Sequence, residues 1–127
     1  MKDEAQRYIE KAANALKVAQ LNFDNEFYPD AVSKAYYSMF YSALALLIEN
    51  DIQAKTHHGI ENLLGKYFVK TGILDSALLK MFAQAMNDHH VSDYLVYKEI
   101  SREKAQFHLD NARLFHDRLK EILMKNE

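Results

Sequence analysis

The sequence predicts a single all-α domain of five helices, and three observations predict it. Only three glycines and one proline occur in 127 residues, so the chain has few places to turn. Ala, Leu, Lys, Glu, Gln and Met, the strong helix formers, fill most of the rest. Finally, residues 31–48 read AVSKAYYSMFYSALALLI, a tract apolar on nearly every side that must be covered by several neighbours. At this length the chain, residues 1–127, is expected to form one domain around one core.

The first helix is predicted over residues 3–23. Asp3 followed three positions later by Gln6 reads as a capping box, and Ile9, Ala12, Ala13, Leu16, Ala19 and Phe23 form an apolar stripe on which Gln20 is the one polar residue. Pro29 suits a first helical turn and marks the start of the second helix. That helix could be taken for a membrane span. Lys34, Ser33, Ser38 and Ser42 interrupt it, however, and its flanks, Tyr28-Pro29-Asp30 and Glu49-Asn50-Asp51, suit a buried helix with charged ends, so no membrane partner is expected. Lys34, Ser38, Ser42 and Ala45 fall on one i, i+4 stripe. The small side chains Ser38, Ser42 and Ala45 predict a close-packing surface for another helix or a second subunit.

Thr56 is the predicted N-cap of a shorter third helix through His58, Ile60, Leu63, Leu64, Tyr67 and Phe68, ended near Gly72. Asp75 opens a fourth, through Leu78, Met81, Phe82, Ala85 and Met86, towards the polar cluster Asn87-Asp88-His89-His90-Val91-Ser92-Asp93-Tyr94. Helical geometry is expected to lapse between residues 94 and 100. Ser101 then caps a final helix whose inner face holds Ala105, Leu109, Ala112, Leu119 and Leu123.

Charge and cysteine content narrow the function. With 16 Lys and Arg against 18 Asp and Glu the net charge is −2, so binding to nucleic acid would have to be local rather than driven by a global field. Without cysteine there are no disulfides, thiolate metal sites or cysteine nucleophile. The first residues lack the apolar stretch of a signal peptide, and a cytoplasmic location is expected.

Histidine is the chemical lead, because four of the six come as adjacent pairs, His57-His58 and His89-His90. Successive helical side chains point about 100° apart, so at most one member of each pair is expected to face a given site unless the helix has ended there. A zinc set of His58, His89 and Asp93 can be drawn in outline. The spaced His-x-x-x-His signature is missing, however, and neither metal nor cofactor is expected. On the helical period His89 lies about 20° from the apolar centre of its helix and points inward, with Asp93 one turn on. A core histidine satisfied by a nearby carboxylate or hydroxyl fits the same position. His116 serves as a control, a histidine on an inner face with no polar cluster around it. Tyr36, Tyr37, Phe40 and Tyr41 could stack on bases, but aromatics at helical spacing in an apolar tract are expected in the core or at an interface.

The run from Ala31 to Leu47 with its Ala-Tyr-Tyr-x-Met-Phe segment, then Thr56-His57-His58-Gly59-Ile60, then Tyr67 to Leu74, then Ser92-Asp93-Tyr94, resembles the HEPN family over nearly the whole chain. The resemblance implies an up-and-down antiparallel bundle of four long helices plus one short helix, often a homodimer. It also implies either the partner of a small nucleotidyltransferase, several such partners being RNA-cleaving toxins held in check by it, or a nucleotide-binding module. Catalytic members carry an arginine followed four to six residues later by a histidine at the dimer seam, and work without metal. In the related branch the arginine stands four positions before the Asp-Tyr pair, and here that position is His89. No arginine occurs between Arg7 and Arg102.

Arg102 and His108 match the spacing, but six residues leave their side chains about 120° apart, and neither is assigned a catalytic role. Asp88, His89, His90, Asp93 and Tyr94 thus remain as candidates for binding a nucleotide or RNA, with an imidazole in the place of the cation. The leading expectation is a dimeric, non-enzymatic HEPN module with a degenerate or lost ribonuclease motif. An active endoribonuclease using His89 or His90 is the alternative, and a purely structural helical assembly protein the second.

Overall fold

The computed structural model describes residues 1–94 and 99–125, without the side chains of residues 91–94. The fold is all-α, with helices α1 (Asp3–Asp24), α2 (Tyr28–Glu49), α3 (His57–Leu64), α4 (Ser76–Tyr94) and α5 (Arg102–Lys125). Four are long and α3 is short. A single π turn, Gly65–Val69, continues α3.

The predicted caps hold at three helices and fail at one. Thr56 Oγ1 accepts from the Gly59 N–H at 2.8 Å, Asp75 Oδ1 from Ala77 at 2.9 Å and Ser101 Oγ from Lys104 at 3.1 Å. The expected capping box on α1 does not form, because Lys2 is the N-cap and Asp3 already lies in the first turn. Gln6 donates instead to Glu10 at 2.9 Å. Asp3 and Glu4 act there through their charge, which opposes the positive end of the helix dipole. Pro29 occupies the first turn of α2, where its missing N–H costs nothing.

α2 is the central helix and packs against α1, α4 and α5. Among its buried residues Val32, Tyr36, Met39, Leu46 and Leu47 are fully covered. By length and a mean hydropathy of 1.2 it could cross a membrane, and 61% of that window is buried by the rest of the bundle. The stripe of small residues is used within the chain. α1 comes close enough for Ser38 Oγ to donate to the Ala12 carbonyl at 2.8 Å, while Ser42 Oγ donates to the Ser38 carbonyl at 2.9 Å. Ala5, Ala12 and Ala19 of α1 are fully buried. Ser38, Ser42 and Ala45, expected as candidates for contact with another helix or a second subunit, are fully buried inside one chain and present no surface to another copy.

The other side of α2 meets α4 and α5 through aromatic rings. Phe82 of α4 lies 5.9 Å from Tyr36 and stacks on Phe115 of α5 at 5.7 Å. Since Phe82 is fully buried and joins three helices, Phe82→Ala is expected to cost about 3–5 kcal/mol, read as a lower urea midpoint with native-like helicity.

Candidate functional site

A cleft of about 550 Å³ opens where α3 and α4 face each other over α2. His57, His58 and Glu61 form its α3 wall, Asn87, His89 and His90 its α4 wall, and Tyr37 of α2 also lines it. Both histidine pairs therefore reach one cleft in full. At most one member of each pair was expected to face a given site, whereas both members of each pair line this cleft. His89 is 7% exposed, whereas His90 is open to solvent.

The α3 wall is set by its cap. A Cβ at Gly59 would stand 2.9 Å from Thr56 Oγ1, so glycine permits the tight first turn that carries His57 and His58. Behind this wall, Tyr36 Oη lies 2.8 Å from His57 Nδ1, and the His57 ring rests 4.5 Å from Phe40. On the α4 wall Ser33 Oγ is 3.0 Å from His89 Nδ1. The His89 ring stacks on Tyr36 at 4.7 Å with an interplanar angle of 13°, and Tyr37 meets it edge-on at 5.0 Å. Tyr36 thus touches an imidazole on each wall. Its own burial, and then the neighbouring Tyr37, push its pKa far above the ordinary tyrosine range, so the hydroxyl keeps its proton.

Asp88 does not join this cleft. It is 5% exposed, and its Oδ2 lies 2.6 Å from His108 Nε2 and 3.3 Å from Lys104 Nζ, both on α5. The side chains of Asp93 and Tyr94, the remaining candidates, lie outside the described residues, and with them the His89–Asp93 pair. Arg102 covers the Phe23 ring at 4.8 Å while His108 holds Asp88, so these two residues serve separate contacts. His116 is 6% exposed, with Nδ1 3.2 Å from Asp117, beside a shallow groove that also contains Lys17 and Arg113. Among the described residues no three His, Asp or Glu side chains are placed to hold a metal ion.

A carboxylate or hydroxyl partner for an inward-facing His89 was expected, and the hydroxyl is that of Ser33; neither Ser33 nor Tyr36, the partner of His57, was identified from the sequence. A signal was available, since Ser33, Tyr36 and Phe40 follow i, i+3, i+7 spacing and therefore share one face of α2. The pairing of Asp88 with His108, which joins two helices through a polar contact, was missed as well.

Residues 5–122 match the family model for the HEPN domain. Two proteins of Methanocaldococcus jannaschii, each bearing the name "putative toxin", are 37% and 34% identical to the chain. Each alignment covers 97% of this chain, with 84% and 91% of the respective relative. A UPF0332 protein of Archaeoglobus fulgidus is 32% identical over 98% of both chains.

The α4–α5 contact sets a pH dependence of stability. Burial holds the His108 pKa below its ordinary 6.5, and the hydrogen bond to Asp88 offsets this only in part. With Nε2–H donating to Asp88, a second proton would go to Nδ1, a buried atom with no partner among the described residues. The unfolded chain therefore binds this proton more readily than the folded one. The resulting stability is complete above the ordinary value of 6.5 and is lost as pH falls from there through the lower folded pKa. Urea midpoints measured across that window should drop for the wild type, and His108→Gln, which keeps a donor for Asp88 but cannot titrate, should flatten the drop.

Proposed function

Because the chain belongs to the HEPN family, we propose that it is a toxin-type HEPN module that binds single-stranded RNA in the imidazole-lined cleft and is held in check by a small nucleotidyltransferase. The observation that carries this reading is the convergence of His57, His58, His89 and His90 on one cleft. Imidazoles donate hydrogen bonds to phosphate oxygens and, when protonated, supply the positive charge that the family places on an arginine. Tyr37 adds an aromatic edge, and Glu61 is the cleft's one acidic residue among those described.

The relatives named as toxins support the reading, and so does the fact that the resemblance runs through α2, α3 and α4, the helices that build the cleft. A cytoplasmic homodimer completes the proposal. Val18 and Leu21 on α1 and Leu114 on α5 are exposed by 40%, 60% and 54%, and these neighbouring helices offer apolar area to a protein partner.

A local site on a chain of net charge −2 engages few phosphates, so its affinity should fall only gently with salt. Fluorescence anisotropy with a labelled oligoribonucleotide tests the reading directly. Binding should tighten as pH falls from 8 to 6, roughly the range over which histidine gains charge. Replacing His58 and His90 together by alanine should weaken it by about ten- to a hundredfold, the loss of one to two charge-assisted hydrogen bonds. Absence of binding, or binding that the double replacement leaves unchanged, would return the cleft to a structural role.

A further inference from the structure

We propose that the groove between α1 and α5 is a docking site for an acidic amphipathic helix of a partner protein, seated on apolar side chains and gripped by Lys17 and Arg113. The inference rests on the partner-protein part of the proposed function and not on RNA binding, because the groove shares no lining residue with the imidazole-lined cleft.

The groove holds about 550 Å³. Ala13, Leu16, Lys17, Gln20 and Leu21 line it at i, i+3, i+4, i+7 and i+8, one side of α1, and Ala13 contributes only a methyl group between longer neighbours. Ala13 and Leu16 give an apolar floor, and Leu21 stands 60% exposed beside it. Val18, one turn before Leu21, and Leu114, next to Arg113 on α5, are exposed as well. A third helix laid along two packed helices fills such a depression with side chains at i, i+3 and i+4 spacing. With no strand among the described residues, the fold offers an extended peptide no sheet edge to join.

The charge of the occupant follows from the ion pairs that the groove lacks. Lys104, Arg118 and Lys125 of α5 each meet a carboxylate, at 3.3, 3.2 and 3.3 Å. Arg113 instead donates to the neutral Gln20 Oε1 at 3.0 Å, and neither Arg113 nor Lys17 has a carboxylate within ion-pair distance among the described residues. Gln20, the one polar residue on the stripe of α1, in turn donates to Asp24 at 2.8 Å. It steadies the guanidinium at the groove without neutralising it. Asp117, the acid among the lining residues, is taken by His116 Nδ1 at 3.2 Å.

Two uncompensated cations, one on each bank of an apolar floor, suit a helix that carries leucine-sized anchors flanked by glutamate or aspartate. The carboxylates would pair with Lys17 and Arg113 while the anchors cover Ala13, Leu16 and Leu21. Single-stranded RNA fits less well, since the groove offers two cations and no aromatic ring on which a base could stack.

The test is a selection on the whole chain. Helical peptides with leucine at i, i+4 and i+7, and with Glu, Lys or Gln in equal proportion at the flanking positions, are displayed and selected for binding. Glutamate should be enriched, and Lys17→Glu combined with Arg113→Glu should weaken the selected peptide by about tenfold or more. Leu21→Asp should weaken it as strongly. Repeating the selection on the doubly reversed chain should enrich lysine, an inversion that a damaged surface would not produce. All three positions are exposed, and circular dichroism checks that each variant is folded.

A selection that returns no binder, binders without acidic enrichment, or peptides that bind the reversed and the parent chain alike would overturn the proposal. A dimer that Leu21→Asp converts to a monomer in light scattering would give the groove to a second copy of the chain, and displacement of the peptide by an oligoribonucleotide would give it to RNA; either result overturns the assignment to an acidic helix. Oligoribonucleotide anisotropy with His58 and His90 replaced follows the cleft separately, so failure of the groove and failure of the RNA-binding reading are told apart.

Discussion

A phenol buried in an apolar helix bundle must find a partner for its hydroxyl or lose the free energy of a hydrogen bond to water. Tyr36 is fully buried at the centre of α2, and it meets this requirement by reaching His57 at the start of α3. The same ring backs His89 on α4 and contacts Phe82, which in turn stacks on α5. One side chain thus ties the core to both walls of the cleft. The geometry of the site follows from the packing of the core.

Much of the fold was legible because its signals are local. Thr56, Asp75 and Ser101 sit where short polar side chains meet unpaired N–H groups, and Pro29 where a missing N–H does no harm. Asp3 misled because Gln6 is long enough to reach back or forward, and here it reaches forward to Glu10. The small stripe on α2 correctly announced a close approach, but periodicity says nothing about which helix approaches. α1 takes that place, connected to α2 by a short turn in which Glu26 adopts a φ of 65°.

The site was legible in part for the same reason. The inward direction of His89 followed from helical period alone, and its burial agrees. Which histidines share a cleft depends on how α3 lies against α4, a long-range fact that no spacing carries. Asp88 shows the limit most clearly, since it neighbours His89 in sequence yet points to α5, where His108 and Lys104 await it. Adjacent letters in a helical sequence belong to different faces, and a polar cluster read along the chain divides into two sites in space.

The way the two imidazoles are held also constrains how this protein can change over generations. Their orienting groups, Ser33 and Tyr36, project from the central helix, so altering either disturbs the core and the cleft together. Side chains such as His58, Glu61, Asn87 and His90 contribute to the walls without that burden, each at least partly exposed. Descendants of such a chain are free to vary the cleft's lining while the scaffold behind it stays nearly fixed. Sequence diversity should therefore accumulate on the facing surfaces of α3 and α4, and the Ala-Tyr-Tyr-x-Met-Phe segment should persist as an inherited foundation.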